Sequence, residues 1–83
     1  MYNNPSRLRV VIIMYTVFKE ELNSDETGDY VTFGIRWQND RSFSVSDISL
    51  DEEQVTNLAH LFNELELDPT HLFDAVEDFV YDN

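Results

Sequence analysis

The first half of the chain has the residue patterns of β-strands, although alternation is imperfect where residues 10–13 are all apolar. Residues 8–18 are rich in β-branched and aromatic side chains and contain neither Gly nor Pro, which predicts a first strand. Residues 30–38 alternate strictly and predict a second strand, whose core face consists of Val31, Phe33, Ile35 and Trp37. Phe43 and Val45 continue the period of two into a short third strand that ends near residue 48.

Polar segments separate these strands. Residues 20–29 contain a single apolar side chain, Leu22, together with Gly28, so we expect a long hairpin loop there. Asn39 and Asp40 follow the second strand, and both residue types tolerate the left-handed backbone of a tight hairpin. Short connections of this kind predict an antiparallel meander.

After residue 48 the apolar spacing changes to three and four, which is typical of amphipathic helices. The stripe of the first helix is Val55, Leu58, Phe62 and Leu65. Ser49 and Glu52 fit a capping box at its start. Asp68 and Pro69 predict the start of a second helix, with an Asp cap and Pro at the first helical position. Its apolar side contains Leu72, Phe73, Val76, Phe79 and Val80.

The element order predicts an α+β fold in one domain, a three-stranded antiparallel meander followed by a C-terminal helical hairpin (β-β-β-α-α). Its expected parts are a loose N-terminal arm (1–6), the meander (7–48) and an acidic helical hairpin (49–83).

If both helices cover one face of the sheet, the other face is bare. The first strand could then expose an apolar strip suited to contact with a partner or to homodimerisation, formed by Val11, Ile13, Tyr15 and Val17. In the opposite register the even-numbered residues would form the strip. A helix, the arm or the long loop could instead cover it.

The composition excludes several classes of function. The 83 residues include 17 Asp and Glu against 5 Lys and Arg, a net charge of −12, and no Cys. Without Cys there is no disulfide, thiolate zinc site or thiol nucleophile. The charge opposes direct binding to nucleic acid or anionic lipid. The apolar residues 10–18 lack a signal-cleavage site and are too few to span a bilayer, which takes about 20 residues, so we expect a soluble cytoplasmic protein without a membrane partner.

The charge is concentrated in the helical half. Residues 1–41 carry a net charge of −1, whereas residues 42–83 contain eleven acids and neither Lys nor Arg, a net charge of −11. Solvated helix faces usually mix both signs and gain favourable pairs, so a face of one sign gives up that stability. We expect its carboxylates to bind a basic partner, at Glu64, Glu66, Asp74, Glu77, Asp78 and Asp82.

These features favour a non-enzymatic protein-interaction module. Its carboxylates could stand in for phosphates in the groove of a nucleic-acid-binding protein, as an inhibitor of phage or plasmid type would. Alternatively, the charge only keeps the protein soluble, and the chain is a structural or housekeeping protein that self-associates through its sheet.

Enzyme chemistry has weaker support. His71, Asp74 and Asp78 share a helical face that could touch a metal ion, but a tight site needs ligands from another element, so we expect neither a metal nor a cofactor. Residues 23–34 imitate a calcium loop and have Gly34 where that loop needs Glu. Ser, His and Asp combinations are uninformative among so many acids, and two glycines provide no phosphate-binding loop. We therefore expect no catalytic residues.

Several short motifs resemble one known family. They are Phe33-Gly34-Ile35, Asp47-Ile48-Ser49, Asn63, the run from Leu67 to Leu72, and Val76-Glu77-Asp78-Phe79. Together they are similar to a family of small uncharacterised proteins from Gram-positive, largely anaerobic bacteria, which has a His-Leu-x-x-x-Val-Glu-Asp-Phe helix at its C-terminus. The resemblance covers residues 10–80. It implies a small single-domain cytoplasmic protein, transfers no activity, and directs attention to His71, Glu77 and Asp78.

Overall fold

The computed structural model of the protein describes residues 13–82, with side chains as far as Tyr81. Three antiparallel strands in the order β1-β2-β3 are followed by two helices, so the predicted α+β fold is confirmed. The bounds are β1 Tyr15–Ser24, β2 Gly28–Trp37, β3 Ser44–Ser49, α1 Glu52–Leu65 and α2 Leu72–Asp82, with a 3₁₀ turn over Pro69–His71 before α2. The expected N-terminal arm (1–6), the first part of the expected first strand (8–12) and Asn83 lie outside the described residues.

The β1–β2 hairpin is longer than its hydrophobic pattern indicates. Its ten pairs run from Tyr15 opposite Trp37 to Ser24 opposite Gly28, and the turn contains only residues 25–27. The prediction of a long loop over 20–29 is therefore wrong. Backbone pairing continues through polar residues here, and Gly28 adopts the positive φ of 78° that the tight turn needs.

The turn between β2 and β3 also differs from the expectation. Asn39 and Asp40 are not among the residues with positive φ in the described chain. Instead the Asp40 carboxylate accepts hydrogen bonds from the Ser42 backbone N–H (3.0 Å) and hydroxyl (2.8 Å). A side chain that replaces backbone bonding in this way makes an Asx-type turn, which requires no left-handed residue.

One face of the sheet packs against the helices and holds the core. Tyr15, Phe33 and Ile35 are buried against side chains of both helices, namely Val55, Leu58, Ala59, Phe62, Leu72 and Val76. The Tyr15 and Phe62 rings meet edge to face, with centroids 5.9 Å apart. Along β2, Trp37 is half-buried against this core, but Val31 is 40% exposed because it lies beyond the helices on the hairpin.

This packing corrects the expected apolar strip. Tyr15 is 1% exposed and Val17 packs against the core, so these odd-numbered side chains at the start of β1 face the helices rather than solvent. Ile13 is exposed, just before the strand. Val11 lies outside the described residues.

α1 begins two residues later than the predicted Ser49 cap. Asp51 is the N-cap, and its carboxylate accepts from the Glu53 backbone N–H at 3.0 Å. The Ser49 hydroxyl instead accepts from the Asp51 N–H at 3.0 Å and donates to Gln54. The capping-box prediction is wrong because an Asp nearer the helix supplies the acceptor. Leu65, predicted in the buried stripe, is 64% exposed.

The segment before α2 is capped as predicted. The Asp68 carboxylate accepts from the Thr70 N–H at 3.0 Å, and Pro69 occupies the first turn. The predicted apolar side of α2 is only partly buried, since Phe73 is 59% and Val80 44% exposed. α2 packs mainly on the short strand β3, which offers it a small apolar surface.

The opposite face of the sheet carries the even-numbered residues of β1 and β2. There the Phe18 ring crosses Gly34, whose absent Cβ would lie 2.6 Å from that ring and 2.4 Å from the Val45 carbonyl oxygen. The Arg36 guanidinium lies 4.6 Å from the centre of the same ring, within cation–π range. Gly34 is required here by space, not by its backbone angles.

Candidate functional site

An acidic exposed surface lies on α2. Asp74 and Asp78 are both exposed and stand one helical turn apart, where like charges repel. Glu77, between them in sequence, is half-buried. α2 has no basic residue in its last turn, and Asp82 is its last residue. Along α2 itself, these carboxylates therefore have no Lys or Arg neighbour of the kind that usually stabilises a helix surface.

Glu64 and Glu66 lie apart from this group, at the C-terminal end of α1. Glu66 adopts a left-handed conformation, with φ 50° and ψ 49°, and its N–H bonds back to the Phe62 and Asn63 carbonyls. The Leu67 N–H also reaches Phe62, at 3.0 Å. Glycine is the usual residue at such a helix end, and negative charge there opposes the helix dipole. The fold thus places acids at a position that disfavours them.

Arg36, the cationic residue of β2, does not lie on this acidic surface. It sits over Phe18 on the sheet face opposite the helices. The carboxylates for which hydrogen bonds are described use neutral donors, as Asp40 does with Ser42 and Asp68 does with Thr70. These contacts leave the negative charge in place.

Asp68 is a structural carboxylate. Hydrogen bonds from the Thr70 backbone and hydroxyl hold the pKa of Asp68 below its usual value of 3.8. His71 adds a smaller electrostatic contribution in the same direction. Asp68 therefore stays ionised to fix the turn before α2, which accounts for its position without a binding role.

A second polar cluster lies on the sheet face opposite the helices, and the sequence patterns did not predict it. The Glu20 carboxylate accepts from the Ser46 hydroxyl and from the Asp47 backbone N–H (3.2 Å), and the Tyr30 hydroxyl donates to Asp47 (3.2 Å). Partial desolvation, with Asp47 nearby, raises the pKa of the Tyr30 phenol. Asp47 has a positive φ of 56° beside the register shift between β2 and β3. The cluster holds this bulge against β1.

Asn63 is another polar residue whose structural role the sequence patterns did not predict. It is 8% exposed within the α1 core stripe, and its amide oxygen accepts from the backbone N–H groups of Met14 (2.9 Å) and Tyr15 (2.8 Å). Its amide nitrogen donates to the Tyr15 carbonyl at 3.1 Å. A signal was present, since Asn63 follows Ala59 by four residues and so falls on the buried face of the helix. A polar residue at such a position indicates a satisfied buried amide.

An open groove of about 490 Å³ lies beside Asn63, between β1 and α1. Ile13, Tyr15 and Val17 line it from the strand side, and Thr56, Ala59, His60, Asn63 and Glu64 line it from the helix. A shallower groove of about 280 Å³ runs between the helices and contacts Leu58, Leu61 and Phe79. Both grooves are mostly apolar, and they suit contact with another polypeptide better than they suit small-molecule catalysis.

Within residues 13–81, His, Cys, Asp and Glu side chains form no group of three or more that could hold a metal ion. The helices of this part of the chain are too short or too polar to cross a membrane.

The chain belongs to a family of unknown function (DUF6514), whose model matches residues 4–82. This confirms the expected membership in a family of uncharacterised proteins; its taxonomic range and its C-terminal motif stay predictions. Comparison with curated proteins and with solved structures gave no match.

Proposed function

We propose that this member of a family of unknown function is a non-enzymatic acidic interaction module whose helical half binds a basic protein. The observation that carries the proposal is the net charge of −11 over residues 42–83, with no Lys or Arg. Repelling neighbours on α2 and acids at the end of α1 cost folding stability. In return, these acids produce a negative electrostatic field that attracts a basic partner.

We further propose that the basic partner is a nucleic-acid-binding protein and that this chain is its inhibitor. A surface that binds phosphates attracts dense carboxylates for the same electrostatic reason. Exposed Asp74 and Asp78, on one side of α2, supply two such charges.

The test compares two charge-reversed variants of equal net charge. Asp74→Lys with Asp78→Lys alters α2, whereas Asp25→Lys with Glu26→Lys alters the exposed β1–β2 turn. Each immobilised protein is used to capture basic proteins, which are eluted with increasing salt. The eluted proteins are then bound to a labelled duplex DNA, and the release of that DNA by the soluble chain is measured. We expect the α2 variant to lose capture and the turn variant to keep most of it.

Two results would overturn the proposal. One is equal capture by both variants, which would place the contact elsewhere. The other is capture that persists at high salt, because an interface dominated by surface charge weakens as ionic strength rises.

A second candidate function is self-association through the sheet. The free outer edge of β1 favours it, since the sheet of the described residues ends there. Sedimentation measurements at low and high salt separate the candidates. An edge-paired dimer persists in high salt, whereas the proposed binder is a monomer at low salt because its copies repel each other.

A further inference from the structure

The outer edge of β1 presents alternate backbone groups for pairing. The Met14 carbonyl accepts from Gln38 at 2.7 Å on the β2 side, whereas the N–H and carbonyl of Tyr15 both face away and bond to Asn63. Because the sides alternate along an antiparallel strand, the backbone groups of Val17, Lys19 and Glu21 also face outward. Residues 13–82 place no strand beside them.

Asn63 already pairs with the start of this edge. Its amide oxygen and nitrogen satisfy the Tyr15 N–H and carbonyl, as a residue of a neighbouring strand would. The next outward pair belongs to Val17, which lines the 490 Å³ groove together with Thr56 and Ala59 of α1. A strand added from Val17 onward would place the side chain opposite Val17 in this groove and would then continue along the β1–β2 hairpin.

We propose that the basic partner docks an extended segment along β1 as a fourth strand, with the side chain opposite Val17 in the groove between β1 and α1. This inference rests on the proposed function and names where and how the partner binds. Main-chain hydrogen bonds to Val17, Lys19 and Glu21 would provide affinity, and the groove would select the side chain opposite Val17, as in other cases of strand addition.

The chemistry of the segment follows from the residues it meets. Side chains opposite Val17 face the Ala59 wall and should be apolar. A side chain opposite the exposed Glu21 should be Lys or Arg, because directly opposite charges stabilise a strand pair. The net charge of −12 draws such a segment in and repels a second copy of this chain.

The probe for this proposal is a synthetic peptide of ten residues with Val at the position that pairs with Val17, Lys at the position that pairs with Glu21, and Thr at the positions between them. Amide hydrogen exchange of the full chain is followed by NMR with and without the peptide. We expect the amides of Val17, Lys19 and Glu21 to exchange at least about tenfold more slowly in the complex. The even-numbered amides between them already bond to β2 and should change little.

Two matched variants locate the contact on the groove. Thr56→Tyr fills it, whereas Asn57→Tyr places the same side chain on the adjacent α1 position, which lines the groove between the helices. We expect the first to weaken peptide binding at least about tenfold and the second to leave it within about twofold. Circular dichroism and thermal melting of both variants establish that each is folded.

Several outcomes would overturn strand addition. They are unaltered exchange at the odd-numbered amides, equal binding by the two variants, and protection of those amides without the peptide, which would mean that a second copy or residues 1–12 already occupy the edge. If the peptide binds with strong salt dependence and Asp74→Lys with Asp78→Lys abolishes it while Thr56→Tyr does not, the acidic-surface proposal survives and the groove does not. If Thr56→Tyr alone abolishes binding, the groove survives and the α2 surface does not.

Discussion

α1 and α2 have similar apolar periodicity but bury very different fractions of their apolar residues. α1 lies across all three strands and buries Val55, Leu58, Ala59, Phe62 and Asn63. α2 packs mainly against β3, buries Leu72 and Val76, and exposes Phe73, Val80 and Tyr81. A spacing of three and four predicts a helix in both cases. The surface that each helix meets decides how much of its stripe is buried, and the six-residue β3 offers little.

The largest expected effect is a difference in stability loss between alanine substitutions of one aromatic residue in each helix. Phe62→Ala should destabilise the protein by about 3–5 kcal/mol, because its ring is buried against Tyr15. Phe73→Ala removes the same group from an exposed position and should change stability by less than about 0.5 kcal/mol. Urea unfolding followed by circular dichroism measures both. Equal losses would mean that α2 is as much part of the core as α1.

A smaller effect is expected at the polar member of the α1 stripe. Asn63→Leu keeps the branching at Cγ but leaves the Met14 and Tyr15 N–H groups and the Tyr15 carbonyl without their partner, at a cost of about 2–3 kcal/mol. Urea unfolding again provides the measurement.

Asn63→Asp is the control for that substitution. It retains acceptors for both N–H groups but, when ionised, has no donor for the Tyr15 carbonyl. Its loss relative to the wild-type protein should shrink as pH falls and the carboxyl gains a proton. A pH-independent loss would show that shape, not hydrogen bonding, determines the residue at this position.

The smallest expected effect concerns the start of α2. The pKa of Asp68 is lower in the folded chain than its usual 3.8, so the unfolded state binds the proton more tightly. The contribution of Asp68 is therefore complete above pH 3.8 and is lost as pH falls through the folded pKa. An NMR titration should show Asp68 titrating below 3.8, with faster Thr70 amide exchange on protonation. Asp68→Asn should remove this response and leave the exchange of α1 amides unaltered.

The order and type of all five elements follow from residue patterns, but their ends do not. β1 extends through Lys19, Glu21 and Asn23 because backbone pairing with β2 replaces burial as the stabilising interaction, and pairing leaves no hydrophobic signal. The start of α1 depended on a choice between two nearby oxygen acceptors, at Ser49 and Asp51. Local sequence offers both, and the backbone geometry decides.

The candidate surfaces were also only partly predictable from the sequence. Composition was sufficient to predict the acidic half, because charge adds regardless of conformation. The side of β1 that meets the helices was not predictable, since residues 10–13 are all apolar and fix no register. The groove depends on where α1 crosses β1, which no pattern within either element contains.

The contacts that tie β1 to the end of α1 also bear on how the chain folds as it is synthesised. Asn63 and the Leu67 carbonyl lie 48 to 52 positions after the β1 residues they bond. A nascent chain can pair β1 with β2 early, yet the outer edge of Tyr15 lacks its Asn63 partner, and the Tyr15 hydroxyl lacks its Leu67 partner, until those residues have left the ribosome. Closure of so long a loop is slow compared with local pairing. Maturation of the core therefore waits until the end of α1 has been synthesised, and a truncated product ending before Asn63 would lack these contacts.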